Sequence, residues 1–269
     1  MASGSLNEDH GLFGPDSIIW RVNRESAVTL AGTCAILMQL AHPQVAAGVR
    51  DHSSYQVDAA GRLRRTLELT MAMVFGPRPA AMQAVRTINS RHRAVRGPGY
   101  AATDPQLLLW VQATLVYSAI HGYRALVGPL TDAEADQYYQ DTKEIGVLLG
   151  VPRELYPGSV DAFEAYLQGM IDRREVAVGA DARRMSEVIL HPEFRGVPRM
   201  AFAPLTVITA GLLPPSLREG YGLKWGRAQR AAFAAFRAGL PRLVAIAPGP
   251  VRILPPARLA YQRLKLVPA

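Results

Sequence analysis

Residues 26–49 run without a single Asp, Glu, Lys or Arg side chain, which is long enough to cross a bilayer. Gln39, His42 and Gln44 are polar, however, and Pro43 interrupts a helix, so a membrane span is disfavoured. The stretch therefore predicts a buried helix over 25–41 that stops at His42 and Pro43, followed by a shorter helix over 44–51.

Helical periodicity continues along the rest of the chain, because apolar residues recur every three or four positions. Breakers and caps separate the predicted helices: Gly76-Pro77 and Gly97-Pro98-Gly99 end two of them, Asp104 caps one, and Thr131 caps another with Glu134 completing a capping box. The remaining predicted helices cover 16–21, 61–75, 79–96, 105–127, 131–149, 160–173, 181–190, 201–212, 225–238 and 256–264.

No segment alternates apolar and polar residues as a half-buried strand does. The sequence therefore predicts an all-α fold, a single multi-helix domain over 16–240. A flexible segment over 1–15 precedes it. A proline-rich tail over 241–269 is expected to pack across the domain.

Composition narrows the functional classes. Half of the chain is apolar, and Cys34 is the only cysteine, so no disulfide forms within the chain and a reducing cytoplasm is expected. The net charge is +8, but the arginines are dispersed without interleaved aromatics, which argues against nucleic-acid binding. The tail mixes arginines with apolar residues, which leaves a weak membrane-surface contact open beside simple packing.

A histidine among arginines, in the motif RHRAVRG, is the first candidate site residue. Val85, Ile88 and His92 share one helix face, and the predicted helix places Arg96 one turn beyond His92. A nearby guanidinium lowers the pKa of an imidazole, which suits a neutral ring that binds a metal. A hydrogen-bonded structural histidine is the alternative that the residues alone leave open.

Two further groups of residues are candidates. Arg62 and Thr66 lie one turn apart and are expected to point into a pocket, with Arg65 at its rim. A hydroxyl bond from a threonine to its own helix is the local alternative. His42 lies at a helix break, and His52 lies at the next helix end, where a favourable interaction with the helix dipole is the alternative to a catalytic role.

Taken together, the motifs resemble the MpaB/rubber-oxygenase (latex-clearing-protein) catalytic family over residues 16 to about 172. They occur in the family order: W-R-V-x-R-E, QLAHPQVAAGVRDHS, GRLRRTLELTMAMVFG, RHRAVRG, YAATDPQLLLWVQATL, GPLTDAEADQYYQD and LGVP.

The resemblance implies a globin-like helical core that binds haem b and uses O₂ or peroxide on an apolar, lipid-like or isoprenoid-like substrate. It implies that His92 is the axial iron ligand and that Arg96 pairs with a haem propionate. It also places Arg62, Arg65 and Thr66 beside the haem. His42, His52 and Arg65 are the candidates for orienting the oxygen ligand and moving protons.

The chain departs from the family pattern at three positions. Gln112 stands where many relatives have histidine, Arg65 stands where rubber oxygenases have a lysine over the iron, and PQVAAGV lacks the acidic residue proposed as base. Arginine is a poor iron ligand, so an open or water-filled distal position is expected. The alternative function is a haem-free helical binding protein that has kept the family scaffold.

Overall fold

The computed structural model describes residues 9–52, 55–192 and 197–267, except the side chains of 55–60, Arg62 and Leu63. The described elements confirm the all-α prediction, because they comprise many helices and one minimal hairpin. The helices are α1 (Ile18–Asn23), α2 (Gly32–Leu40), α3 (Pro43–His52), α4 (Tyr55–Phe75), α5 (Arg78–Ala94), α6 (Pro105–Leu126), α7 (Asp132–Leu148), α8 (Val160–Asp172), α9 (Ala180–Leu190), α10 (Ala203–Leu212), α11 (Pro215–Gly220), α12 (Arg227–Ile246), α13 (Gly249–Arg252) and α14 (Pro255–Arg263).

Local capping sets the starts of two central helices. The Asp104 carboxylate accepts hydrogen bonds from the backbone N–H groups of Gln106 and Leu107, which starts α6. At α7 the Thr131 hydroxyl and the Glu134 carboxylate exchange bonds with each other's backbone N–H at 3.2 and 2.8 Å. Both caps were predicted, and the structure confirms them.

The core lies between α2 and α6, whose side chains are buried over most of their lengths. Helix α6 closely meets the residue before α2 at Gly122, where a Cβ atom would lie 2.5 Å from that of Ala31. Trp20, Phe75 and Trp110 are among the largest fully buried side chains. No helix in the described ranges is long and apolar enough to cross a bilayer.

Several predicted boundaries were wrong. The single helix over 25–41 is a 3-10 turn (Ser26–Ala31) followed by α2, because Thr29 bonds back to the Ser26 carbonyl and Gly32 favours helix weakly. The helix predicted over 61–75 begins earlier, at Tyr55, and the helix predicted over 225–238 continues through Pro241 to Ile246.

The helix predicted over 79–96 ends at Ala94, and a two-residue antiparallel hairpin follows it. Strands β1 (Arg96–Gly97) and β2 (Tyr100–Ala101) pair across Pro98 and Gly99. Proline disfavours helix at the residue before it, and Gly99 adopts φ +80°, which completes the turn. The hairpin turns the chain from the end of α5 towards α6.

A buried ion pair holds the C-terminal segment onto the body. Glu25 is fully buried, and its carboxylate accepts two hydrogen bonds of 2.9 Å from Arg252. The Leu254 N–H donates to the Arg24 carbonyl at 2.8 Å, and Arg263 donates to the Phe75 carbonyl at 2.9 Å. The segment after α12 is therefore fastened to the first helices of the chain.

Candidate functional site

The inner face of α5 carries the histidine of the RHRAVRG motif. Val85 is buried, Ile88 packs against the core, and His92 is half-buried, while Arg91 and Arg93 on either side are exposed. The three inner residues recur at helical spacing, as the sequence predicts.

His92 is a neutral imidazole with an unused nitrogen. Its Nδ1 is buried, and no hydrogen-bond partner reaches it from the described residues. Burial lowers the pKa of His92, because the imidazolium is poorly solvated there. A buried polar atom without a partner is uncommon in a folded protein, so this ring fits a bond to something other than the chain itself.

Arg96 does not lie where the sequence predicts it. The helix stops at Ala94, so Arg96 lies in β1 and its side chain is exposed. The expected pKa effect of a neighbouring guanidinium is absent, since burial alone accounts for the lowered pKa of His92. The backbone carbonyl of Arg96 instead contacts His52 at the end of α3.

The end of α3 is fastened to this hairpin. The His52 ring donates from Nε2 to the Arg96 carbonyl at 3.1 Å, and the Tyr100 hydroxyl donates to Asp51 at 2.7 Å. Asp51 also pairs with Arg50, and that pairing and the Tyr100 bond hold the pKa of the Asp51 carboxyl below its usual value. His52 is exposed and acts here as a contact between backbone elements.

His42 lies in the turn between α2 and α3 and resembles His92 in its surroundings. Its Nδ1 is also buried, with no hydrogen-bond partner in the described part of the chain, and its ring lies 6.4 Å from that of Trp110. Burial lowers the pKa of His42, and the nearby carboxylates of Glu175 and Asp104 partly oppose this. The Trp110 indole N–H is buried and lacks a described partner as well.

The two histidines that flank α3 cannot serve one small ligand together. The ten residues of this helix rise about 15 Å along its axis. His42, which precedes the helix, is half-buried with a buried Nδ1, whereas His52, its last residue, is exposed. Because α3 is continuous between them, His42 and His52 are separate candidates for orienting an oxygen ligand.

The predicted residues lie on α4, which packs most extensively against α5. Arg65 is half-buried, but Thr66 is exposed, because the fully buried positions described on this helix begin at Met71. The prediction that Thr66 faces inward is therefore wrong. Thr70 donates to the Thr66 carbonyl at 2.9 Å, as the local alternative predicts. The side chain of Arg62 lies outside the described residues.

Gln112 has a structural contact of its own. Its side-chain amide is buried and donates to the Thr142 carbonyl on α7 at 3.0 Å. Gln112, at the position where many relatives have histidine, thus forms a hydrogen bond between α6 and α7. Sequence patterns did not single out Trp110 as a neighbour of His42, because no local signal predicts a contact between distant parts of the chain.

The donor set of the chain restricts the kind of metal centre that fits. No three His, Cys, Asp or Glu side chains converge on a common point among the residues that the structure describes. A metal held by several protein ligands has no site in these ranges. A metal that brings most of its own ligands, as haem iron does, needs only one imidazole from the protein.

Comparison with known proteins adds to this geometry. The sequence model described as "ER-bound oxygenase mpaB/B'/Rubber oxygenase, catalytic domain" matches residues 20–242. Two uncharacterized proteins, from Mycobacterium bovis and Mycobacterium tuberculosis, are each 30% identical over 217 residues, which cover 74% of this chain and 81% of theirs. No solved structure matches the chain significantly.

Proposed function

Because the chain belongs to the catalytic-domain family of the MpaB-type and rubber oxygenases, we propose that it is a haem b-dependent oxygenase. It uses O₂ or peroxide to oxidise an apolar, lipid-like or isoprenoid-like substrate. The observation that carries the proposal is the half-buried, neutral imidazole of His92, whose Nδ1 is buried and has no partner among the described residues.

His92 fits the role of the protein ligand to haem iron. Burial keeps the ring uncharged, so a nitrogen lone pair is available for the metal. When bound, haem supplies the redox chemistry with O₂ or peroxide, while the protein controls ligation, access and polarity. Arg96 on β1 and Arg65 on the neighbouring α4 carry guanidinium groups that can donate to the haem carboxylates.

Of the two other candidate histidines, His42 and His52, His42 is better suited to move protons. It is half-buried and neutral, and it lies beside Trp110 with a buried, unused nitrogen, so it can accept a proton at Nδ1. His52 already donates to the Arg96 carbonyl and is assigned a positioning role. It holds the chain that follows His92 against α3.

The test uses the full chain, expressed with added haem precursor. The absorption spectrum and a pyridine haemochromogen assay are recorded for the parent, His92→Ala, His42→Ala and His191→Ala. His191 is the matched control, because its Nδ1 is also buried without a described hydrogen bond but lies at the end of α9. We expect a Soret band in the parent and both other variants, and its loss in His92→Ala.

Other outcomes separate the alternatives. Loss of haem in His42→Ala but not in His92→Ala would reverse the two roles. No haem in the parent, even after reconstitution, would favour the haem-free helical binding protein. If haem binds at His92, O₂ consumption with apolar substrates follows, and His42→Ala is expected to slow turnover while haem content stays unchanged.

A further inference from the structure

The net positive charge of the protein lies after Gly220. Residues 221–269 contain nine of the 30 lysines and arginines and none of the 22 acidic residues. This segment therefore has a formal charge of +9, whereas residues 1–220 together have a charge of −1. Arginines are dispersed along the whole chain, but the acidic residues that balance them end at Glu219.

Helix α12 presents much of this charge on one face. Phe233, Phe236 and Leu240 are half-buried and pack against the core, and no residue of this helix is fully buried. The exposed arginines of the helix are Arg227, Arg230, Arg237 and Arg242. Within the described residues, none of them forms an ion pair with a carboxylate.

Apolar side chains are exposed where α12 ends. Leu243 is 59% exposed, Ile246 is 80% exposed, and Val251 on α13 is 66% exposed. Leu266, beyond α14, is also exposed and lines one surface pocket together with Pro250 on α13. These four apolar residues are called the apolar tip. They lie on the last turns of α12, on α13 and after α14.

The apolar tip is carried by a fixed scaffold. Arg252, next to Val251, forms the two-bond ion pair with buried Glu25, and Ser26 donates to the Val251 carbonyl at 2.7 Å. Arg242 lies one helical turn before Ile246, so a cation borders the tip. The segment thus combines exposed aliphatic side chains with arginines and has no acidic residue. These features are complementary to a surface that is both anionic and apolar.

We propose that the arginine face of α12 and the apolar tip dock onto the surface of an anionic lipid bilayer. The arginines would pair with lipid phosphates, and the apolar tip would enter the boundary between headgroups and acyl chains. A nucleic acid fits less well, because single-strand binding uses exposed aromatic rings and the large apolar residues exposed here are aliphatic. The proposal is independent of haem binding.

The test measures co-sedimentation of the full chain with vesicles of phosphatidylcholine alone or with one third phosphatidylglycerol. The charge variant is Arg227→Gln/Arg230→Gln/Arg237→Gln, and the tip variant is Leu243→Gln/Ile246→Gln. The matched control, Arg64→Gln/Arg86→Gln/Arg153→Gln, removes three exposed arginines elsewhere. Circular dichroism and thermal unfolding check that each variant folds.

We expect the parent to bind the anionic vesicles and not the neutral ones. Each arginine near such a surface strengthens binding about fivefold, so the charge variant is expected to bind about a hundredfold more weakly. The tip variant is expected to bind several-fold more weakly, and the control variant is expected to bind as tightly as the parent.

A parent that stays in the supernatant overturns the proposal. A control variant that loses as much vesicle binding as the charge variant also overturns it. Binding of duplex DNA and vesicles alike, with no effect of the tip variant, indicates general attraction to polyanions and also overturns it.

Discussion

His52 donates a hydrogen bond from Nε2 to the Arg96 carbonyl over 3.1 Å, which joins the last residue of α3 to the first residue of β1. The neighbouring Asp51 accepts a bond of 2.7 Å from Tyr100 on β2. Through these two bonds α3 holds the hairpin that follows the helix of His92.

Removing the first of these bonds is expected to weaken the fold modestly. His52→Ala should lower the free energy of unfolding by about 1 kcal/mol, because a partly solvated hydrogen bond is lost. Urea unfolding measures the change. If His52 has a positioning role, the variant also keeps the haem content of the parent. An unchanged unfolding midpoint would show that the bond contributes nothing to the hairpin.

The buried Glu25 carboxylate is expected to contribute far more to the free energy of unfolding than an exposed carboxylate does. Glu25→Gln leaves Arg252 and Arg24 without their buried anion, which should cost about 3–5 kcal/mol of unfolding free energy. The control is Glu144→Gln, whose pair with Arg153 is exposed and should be worth less than about 1 kcal/mol. Equal losses in the two variants, measured by urea unfolding, would contradict a buried ionic anchor.

Two helical glycines are expected to respond to alanine with opposite signs. At Gly146 on α7 a Cβ would lie 1.6 Å from the Tyr156 hydroxyl oxygen and 2.9 Å from its ring carbon, so the ring must move. Gly146→Ala should destabilise by about 1–3 kcal/mol. At Gly239 on α12 nothing lies within 4 Å, and alanine should stabilise by about 0.5–1 kcal/mol. Thermal unfolding of the pair gives the two signs directly.

Stability is expected to fall in mild acid because of two half-buried histidines, His42 and His92. Burial lowers the pKa of His42 and His92 below 6.5 in the folded protein, while the unfolded chain keeps the ordinary value. Below about pH 6.5 the unfolded state therefore binds more protons, and stability is lost until the folded pKa is passed. Replacing His42 with leucine should reduce the loss measured between about pH 7.5 and about pH 5.5. A loss equal to that of the parent would show that His42 is not part of this dependence.

Much of the fold is readable from the sequence because its signals are local. The caps at Asp104 and Thr131 act within three residues, and the turn at Pro98 and Gly99 depends on the backbone preferences of those two residues. The inward face of α5, with His92 on it, follows from helical spacing alone. The end of α5 was misplaced by two residues, which moved Arg96 from a helix to a strand.

The sequence by itself therefore determined the helical class, the caps and the choice of His92 as a candidate ligand. Only the tertiary structure decided that His42 lies beside Trp110, that His52 reaches the Arg96 carbonyl, and that Arg252 meets Glu25 from 227 positions away. Such contacts join distant parts of the chain, so no local propensity encodes them. They form because helices that each bury an apolar face must pack together, and that packing selects which polar groups meet.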